Sequence, residues 1–380
     1  MSLFSPTHEA FRLKTRRFVA ENLAPNAEAW EQEETCPRSV FREAGEAGLL
    51  GLTQPIAHGG RGLDFGYSVV LAEELPRCRM GGLSLSILAQ ANFFSPLLSR
   101  YGTEEQKAEF LAPAIRGEKV GALASTEPSG GSDITGAVQC TAVEDGDFWV
   151  VSGEKMYITN GPIADFVVAL VRTRQDGGPN GMSLLLIPTD TPGFSVKETL
   201  RKLGLHTSPT GWLAFDRCRV PKGFTIGKPH LGYYYHTQNL LEERLVGGVA
   251  SLAFGDLVLQ DTIEYVRKRM AYGRRLSSLQ TIRHRIAEMS AEVEMARAFV
   301  HAVCERFRDG HVDAKRICMI KFQVIDIVQR VIERCIQLFG ANGFLETNWV
   351  TRAYRDVRVL SLGGGTSEVM KDLVASHLRL

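Results

Sequence analysis

Two adjacent glutamates and an arginine, Glu242, Glu243 and Arg244 in NLLEERLVGG (239–248), have the residue types and spacing best suited to chemistry. A carboxylate partly desolvated on an apolar helix has its pKa raised toward neutrality and can take a proton from a weak acid. Helical spacing groups Glu243 with Asn239, Leu240, Val246, Gly247 and Ala250, where small residues admit a flat ligand. Glu242 also has apolar neighbours, so periodicity does not choose between the two. A plainer reading pairs both with Arg244 or with nearby helices. In TEPSGGSD (126–133), small residues let backbone approach a flat ring, while Thr126 and Ser132 offer hydrogen bonds. An ordinary acidic surface turn is the alternative there. A glycine run, Gly363 to Gly365, precedes Thr366 and Glu368.

The totals exclude several classes. A net charge of +1 carries no basic bias, and RKRMAYGRR (267–275) reads as a solvated helix face or anion contact, so nucleic acid is not expected. Seven cysteines without a C-x-x-C spacing fit a reducing cytoplasm and argue against both a disulfide framework and a metal site. No apolar run approaches the length of a membrane span. The Arg-rich HEAFRLKTRRFVAENL could pass for a transit peptide, but its acidic residues and the spacing of Phe11, Phe18 and Val19 fit a first helix. Neither G-x-G-x-x-G in a strand context nor G-x-x-x-x-G-K-[ST] occurs, which leaves a Rossmann or P-loop site unsupported.

The elements that must position these residues fall into three blocks, because 380 residues exceed one small core. Residues 1–118 read as helices, including 6–23, 38–49 and a start at Thr103 with Glu105 and Gln106 behind it. Residues 119–227 are short runs rich in β-branched and aromatic residues, such as FWVVSGEKMYIT and DFVVALVRT, which predict a small barrel or sandwich. Residues 228–380 return to long helices with apolar positions every three or four residues, which predicts an antiparallel bundle.

GALASTEPSGGSDITG, GEKMYITNG, RMAYGRRLSSLQ, IQLFGANGF and YRDVRVLSLGGGTSEVM, in that order, closely resemble the acyl-CoA dehydrogenase family along the whole chain. The resemblance implies an α+β multidomain fold: an N-terminal helical domain, a middle β-barrel or sandwich domain and a C-terminal four-helix bundle. It also implies a homotetramer that binds FAD, oxidises an acyl-CoA to the trans-2-enoyl thioester in fatty acid metabolism, and passes electrons to an electron-transferring flavoprotein. Cofactor contacts carry over to Leu123, Thr126, Gly131 and Ser132, to Tyr157 beside the flavin and to Thr159 toward its N5. Arg269, Tyr272 and Gln280 correspond to residues that reach the FAD of a neighbouring subunit. Gln337, Gly340 and Ala341, and then Thr366 and Glu368, match further cofactor segments.

In most of the family the base is a glutamate just before the Gly-Thr of the last loop, where this chain has Gly364. The isovaleryl and long-chain branch carries it on a helix before an arginine, which the resemblance maps to Glu243. Substrate contacts implied are Ser132, Leu240, Arg244, Gly364 and Gly365, with Gln90 and Phe94 on the far wall of the acyl cavity. Leu241 stands where the family often has an aspartate for the pantetheine arm. An acyl carrier protein thioester therefore stays open as the substrate, as does a flavin oxidase or monooxygenase on the same fold.

Overall fold

The helix starts follow local capping chemistry. In the computed structural model, which describes residues 3–175 and 177–380, the N-terminal part holds α1 (Pro6–Phe18), α2 (Ala27–Gln32), α3 (Ser39–Glu46), α4 (Phe65–Glu74), α5 (Gly81–Asn92), α6 (Ser95–Tyr101), α7 (Glu104–Gln106) and α8 (Ala112–Ile115). Thr103 caps α7: its hydroxyl accepts from the Gln106 N–H at 3.3 Å, and Gln106 Oε1 accepts from the Thr103 N–H at 3.1 Å. Phe11 and Val19 are buried, as the helical reading of the N-terminal stretch requires.

The middle part is one mixed sheet. Its strands are β1 (Gly121–Ala124), β2 (Thr141–Asp145), β3 (Phe148–Thr159), β4 (Phe166–Arg172), β5 (Met182–Pro188), β6 (Phe194–Thr199), β7 (Thr210–Pro221) and β8 (Thr225–Ile226), with α9 (Ile134–Ala137) after β1. They run in the order β6-β7-β3-β2-β4-β5-β8, with β1 parallel to β4. The sheet wraps around an interior of Val151, Val167, Ala169, Leu185, Leu213 and Phe215. Alternate residues of β4 and β5, among them Val168, Leu170, Leu184 and Leu186, pack outward with Phe94, Leu97 and Phe110 of the helical part. Burial on both faces explains why FVVALVR and MSLLLIP are apolar throughout.

The last part holds α10 (Gly232–Lys268), a short ribbon of β9 (Met270–Ala271) and β10 (Arg274–Arg275), α11 (Gln280–Arg308), α12 (Ala314–Met319), α13 (Ile325–Phe339), α14 (Trp349–Arg358) and α15 (Ser367–His377). A π turn over Ile320–Val324 joins α12 to α13. In α10 a Cβ on Gly248 would lie 2.3 Å from Ile320 Cγ2, and one on Gly255 2.9 Å from Val328 Cγ1. Those two glycines bring the helices together.

The packing does not follow the boundaries in chain texture. Leu71, Leu83 and Ile87 of the first part share one core with Leu245, Val249, Val300 and Val328 of the last. Asp356 on α14 adds a polar tie, accepting from the Gly81 N–H at 3.0 Å and the Leu205 N–H at 2.6 Å, so all three parts meet at one carboxylate. One expectation needs correcting: by length and composition α10 qualifies as a membrane-crossing helix, the one such helix among the described residues. With 56% of its apolar window buried inside the protein, α10 reads as the core helix that the other elements surround.

Candidate functional site

The structure separates the two glutamates that periodicity left equivalent. Glu242 is 2% exposed, and its Oε2 accepts from the Arg100 guanidinium of α6, while its Oε1, like Glu243 Oε2, is enclosed without a partner among the described residues. Burial raises its pKa and Arg100 opposes the rise. Glu243, the next residue, is half-buried, makes no ion pair, and encloses its Oε2 with no hydrogen-bond partner among the described residues. Burial pushes its pKa up to about 7, against the pull of Arg244 and Lys321. A carboxylate held at that value changes its proton occupancy near neutral pH, as a general base requires.

The wall facing Glu243 is the glycine loop. Gly364 has φ +69° and Gly365 φ +102°, conformations that side chains disfavour. A Cβ on Gly364 would lie 3.5 Å from both Glu243 Oε1 and Lys321 Cε. The loop has little side-chain packing of its own, and two cations hold its carbonyls. Arg244 Nε donates to Gly364 O at 2.8 Å, while Lys321 Nζ donates to Leu360 O and, at 3.4 Å, to Gly365 O. Burial pulls the Lys321 pKa down to about 8, helped by the Arg244 charge and opposed by Glu243. No feature of the sequence singled out Lys321; a lone lysine among apolar positions of a helix was its only signal.

On the β side, Tyr157 is exposed by 63% at the end of β3 with φ +64°. It sits in a register shift between Lys155 and Ile158 against β7, a bulge that turns its ring out of the ladder. Thr159, two residues on, is half-buried. Leu123 is the one half-buried residue of β1, and Gly131 and Ser132 lie exposed on the loop beyond it. Thr126 departs from expectation: its hydroxyl donates to Met156 O, so its proton is committed to the protein and only its oxygen can serve a ligand. The loop is anchored from beneath by Glu127, whose carboxylate takes Lys155 Nζ at 2.7 Å and the backbone N–H groups of Gln139 and Cys140. An out-turned aromatic ring, bare glycine backbone and the enclosed Ser125 Oγ, without a hydrogen-bond partner among the described residues, fit a flat polar ring system such as the expected flavin.

Other expected contacts lie elsewhere. Arg269, Tyr272 and Gln280 are exposed, Tyr272 by 95%. They follow the far end of α10, and at about 1.5 Å per residue Arg269 stands about 39 Å from Glu243. Gln337, Gly340 and Ala341, also exposed, belong to that end, where Phe339 stacks on Tyr265 at 4.3 Å. At the near end Thr366 caps α15, accepting from the Val369 N–H, and Glu368 borders a cavity of about 460 Å³ with Arg358, Ser361 and Lys371.

Gln90 and Phe94 need correction. The Gln90 amide donates to Ala114 O and Lys119 O and accepts from the Gly121 N–H, while the Phe94 ring packs edge-on against Phe166. Both seal α5 and α6 to the sheet, leaving their side chains unavailable as a cavity wall. Leu240 is 9% exposed, and beside it Asn239 donates to Phe93 O. His236, one further turn back on α10, was not anticipated. It is buried, its Nδ1 has no hydrogen-bond partner among the described residues, and burial lowers its pKa to about 4, so it stays neutral. No group of metal-ligating side chains occurs among the described residues.

Comparison with known proteins agrees along the whole chain. Residues 5–118, 122–218 and 230–379 match the N-terminal, middle and C-terminal domains of acyl-CoA dehydrogenase. The chain is 32% identical over 378 residues to the mitochondrial long-chain specific acyl-CoA dehydrogenase of Rattus norvegicus, covering 99% of this chain and 87% of that one. It is 33% identical over 378 residues to the mitochondrial isovaleryl-CoA dehydrogenase of Oryza sativa subsp. japonica, covering 99% and 92%. The crystal structure of acyl-CoA dehydrogenase from Geobacillus kaustophilus superposes with a TM-score of 0.95 at 35% identity, over 99% of each chain.

Proposed function

The chain belongs to the acyl-CoA dehydrogenase family, and from that premise we propose that it desaturates an acyl-CoA thioester between C2 and C3, with Glu243 as the base and FAD as the cofactor. The observation that carries this reading is the state of Glu243: enclosed at Oε2, without an ion pair, raised to about 7 and facing a loop stripped to glycine.

Glu243 takes the C2 proton onto its carboxylate. Arg244 and Lys321 stand close enough to favour the ionised form before transfer, yet neither forms an ion pair that would quench it. The N–H groups of Gly364 and Gly365 make no backbone hydrogen bond among the described residues, so they remain as donors for the thioester carbonyl as charge develops on its oxygen. Bound FAD supplies the acceptor for the hydride that leaves C3. Tyr157, Thr159, Ser132 and the bare backbone at Gly131 would hold its ring, with Thr366 and Glu368 toward its diphosphate and adenosine.

Arg269, Tyr272, Gln280, Gln337, Gly340 and Ala341 are too far along the molecule to serve the same cofactor in one copy. We read them as contacts to the FAD of a neighbouring copy in a homotetramer. The exposure of Met270, Tyr272, Phe344 and Leu345 supports an apolar contact there. An electron-transferring flavoprotein is the expected acceptor, and seven buried free cysteines support a reducing location such as the cytoplasm.

Leu241, half-buried against the core, brings no acid to the pantetheine arm and favours a second reading in which an acyl carrier protein delivers the thioester. Anaerobic mixing of the yellow protein with acyl-CoAs tests the first. Loss of flavin absorbance is expected. A flavin that dithionite reduces but no acyl-CoA does would overturn it, and bleaching by a loaded carrier protein alone would establish the second.

A further inference from the structure

Gly247 lies in the interior of α10, one turn beyond Glu243 and on the same face. Glycine weakens a helix interior, so its presence calls for a reason. Gly248 and Gly255 have one in the close approach of Ile320 and Val328. Gly247 has none of that kind: beyond its own helix backbone, a Cβ placed there meets no heavy atom of the described residues within 4 Å, and the residue is half-buried, not sealed. In the loop that meets Glu243, a Cβ on Gly364 would come into ordinary contact with Glu243 and Lys321, and one on the preceding Gly363 would meet Val359 O alone among the described residues, at 3.8 Å. The loop at Gly364 thus meets the Glu243 carboxylate without a side chain, and the helix presents none one turn further on at Gly247.

One helical turn is a rise of about 5.4 Å, so the space over Gly247 is within reach of the first carbons of any thioester whose C2 meets Glu243. Aliphatic residues at 247 would occupy it, since Val246 and Leu245 on either flank of the helix are already turned into the core with no exposure.

We propose that Gly247 sets the width of the acyl pocket, and that the site takes thioesters whose acyl group is branched or carries a ring within its first few carbons. The inference rests on the dehydrogenase reading above and adds the shape of the substrate to it. A straight chain leaves this space unfilled, whereas a methyl branch or ring fills it with apolar contact.

The test uses the FAD-loaded protein and four probes under anaerobic conditions: butyryl-CoA and octanoyl-CoA as straight chains, isovaleryl-CoA and cyclohexanecarbonyl-CoA as broad ones. Flavin bleaching gives kcat/KM for each, and the ratio of broad to straight is the readout. The wild type is expected to favour a broad probe by at least about tenfold, and Gly247→Leu to lower that ratio by about tenfold or more. Gly247→Ala should raise the Tm, because alanine favours a helix and its Cβ meets nothing, while still lowering the ratio. Should Gly247→Leu fail to fold, Gly247→Ala alone carries the test. A wild type that prefers straight chains, or variants that leave the ratio unmoved, would overturn the inference and leave the dehydrogenase reading standing. Absence of bleaching with all four probes would sink the reading itself.

Discussion

Glu242 and Glu243 are the same residue type, adjacent on one helix and both surrounded by apolar side chains, yet they occupy different electrostatic worlds. On the Glu242 side, α6 brings Arg100 against the carboxylate and closes the gap. On the Glu243 side, the last loop brings the carbonyls of Leu360, Gly364 and Gly365, which Arg244 and Lys321 have already taken, and the backbone that meets the carboxylate carries no side chain. Burial raises the proton affinity of both, but only one has a direct counter-ion. A buried acid becomes a base for catalysis where its desolvation is left uncompensated, and a structural tie where a partner arrives.

The sharpest way to break this comparison is to neutralise each acid in turn. Glu243→Gln should keep bound FAD and lower the rate of substrate-driven flavin reduction by about 10³-fold, within the range a general base contributes. Glu242→Gln should stay within about tenfold of wild type in that assay but lose about 1–3 kcal/mol of stability in denaturant unfolding, because a buried charge-assisted bond is lost. Equal rate losses in the two variants would abolish the distinction.

Lys321→Met removes the ammonium and keeps the stem, so two loop carbonyls lose their donor. An expected loss of about 1–3 kcal/mol would appear in the same unfolding assay. The rising limb of the reduction rate against pH should also move upward, because one of the two charges favouring ionised Glu243 is gone. An unmoved limb would confine Lys321 to holding the loop.

The pH dependence of the wild type follows from the same shift. Reduction should rise with pH through about 7 as Glu243 loses its proton. Stability runs the other way. The folded state holds the Glu243 proton more tightly than the unfolded chain, so this residue favours folding most below the ordinary glutamate range, and that contribution falls away as pH rises through about 7. Glu243→Gln should therefore be more stable than wild type at pH 8 and not at pH 4, by on the order of 1–3 kcal/mol in denaturant unfolding at the two pH values. A difference independent of pH would contradict the raised pKa. The smallest effect belongs to Gly364→Ala, which forces a side chain to φ +69° and should cost about 1 kcal/mol in thermal melts.

Much of the fold was legible because it is written in local periodicity. The Thr103 cap, the burial of Phe11 and Val19, and the apolar runs of β4 and β5 each depend on a few consecutive residues. The site was legible only in part. Tyr157 turns outward because a bulge opens between Lys155 and Ile158, and no spacing in GEKMYITNG announces that register shift. Thr126 looked like a free donor until Met156, 30 residues on, took its proton. Gln90 and Phe94 read as cavity wall, whereas the sheet claims both.

By itself, then, the sequence determined the order of helix, sheet and helix, the presence of two candidate acids on a buried helix and the missing side chains of the last loop. These are properties of residue type and short-range spacing. Tertiary structure alone decided that Glu243 is the acid without an ion pair among the described residues, that Lys321 faces it and that Gln337, Gly340 and Ala341 lie at the same end of the molecule as Arg269. The physical reason is range: a pKa and a pairing depend on charges that chain folding delivers, and the arginine that claims Glu242 comes from 142 residues away.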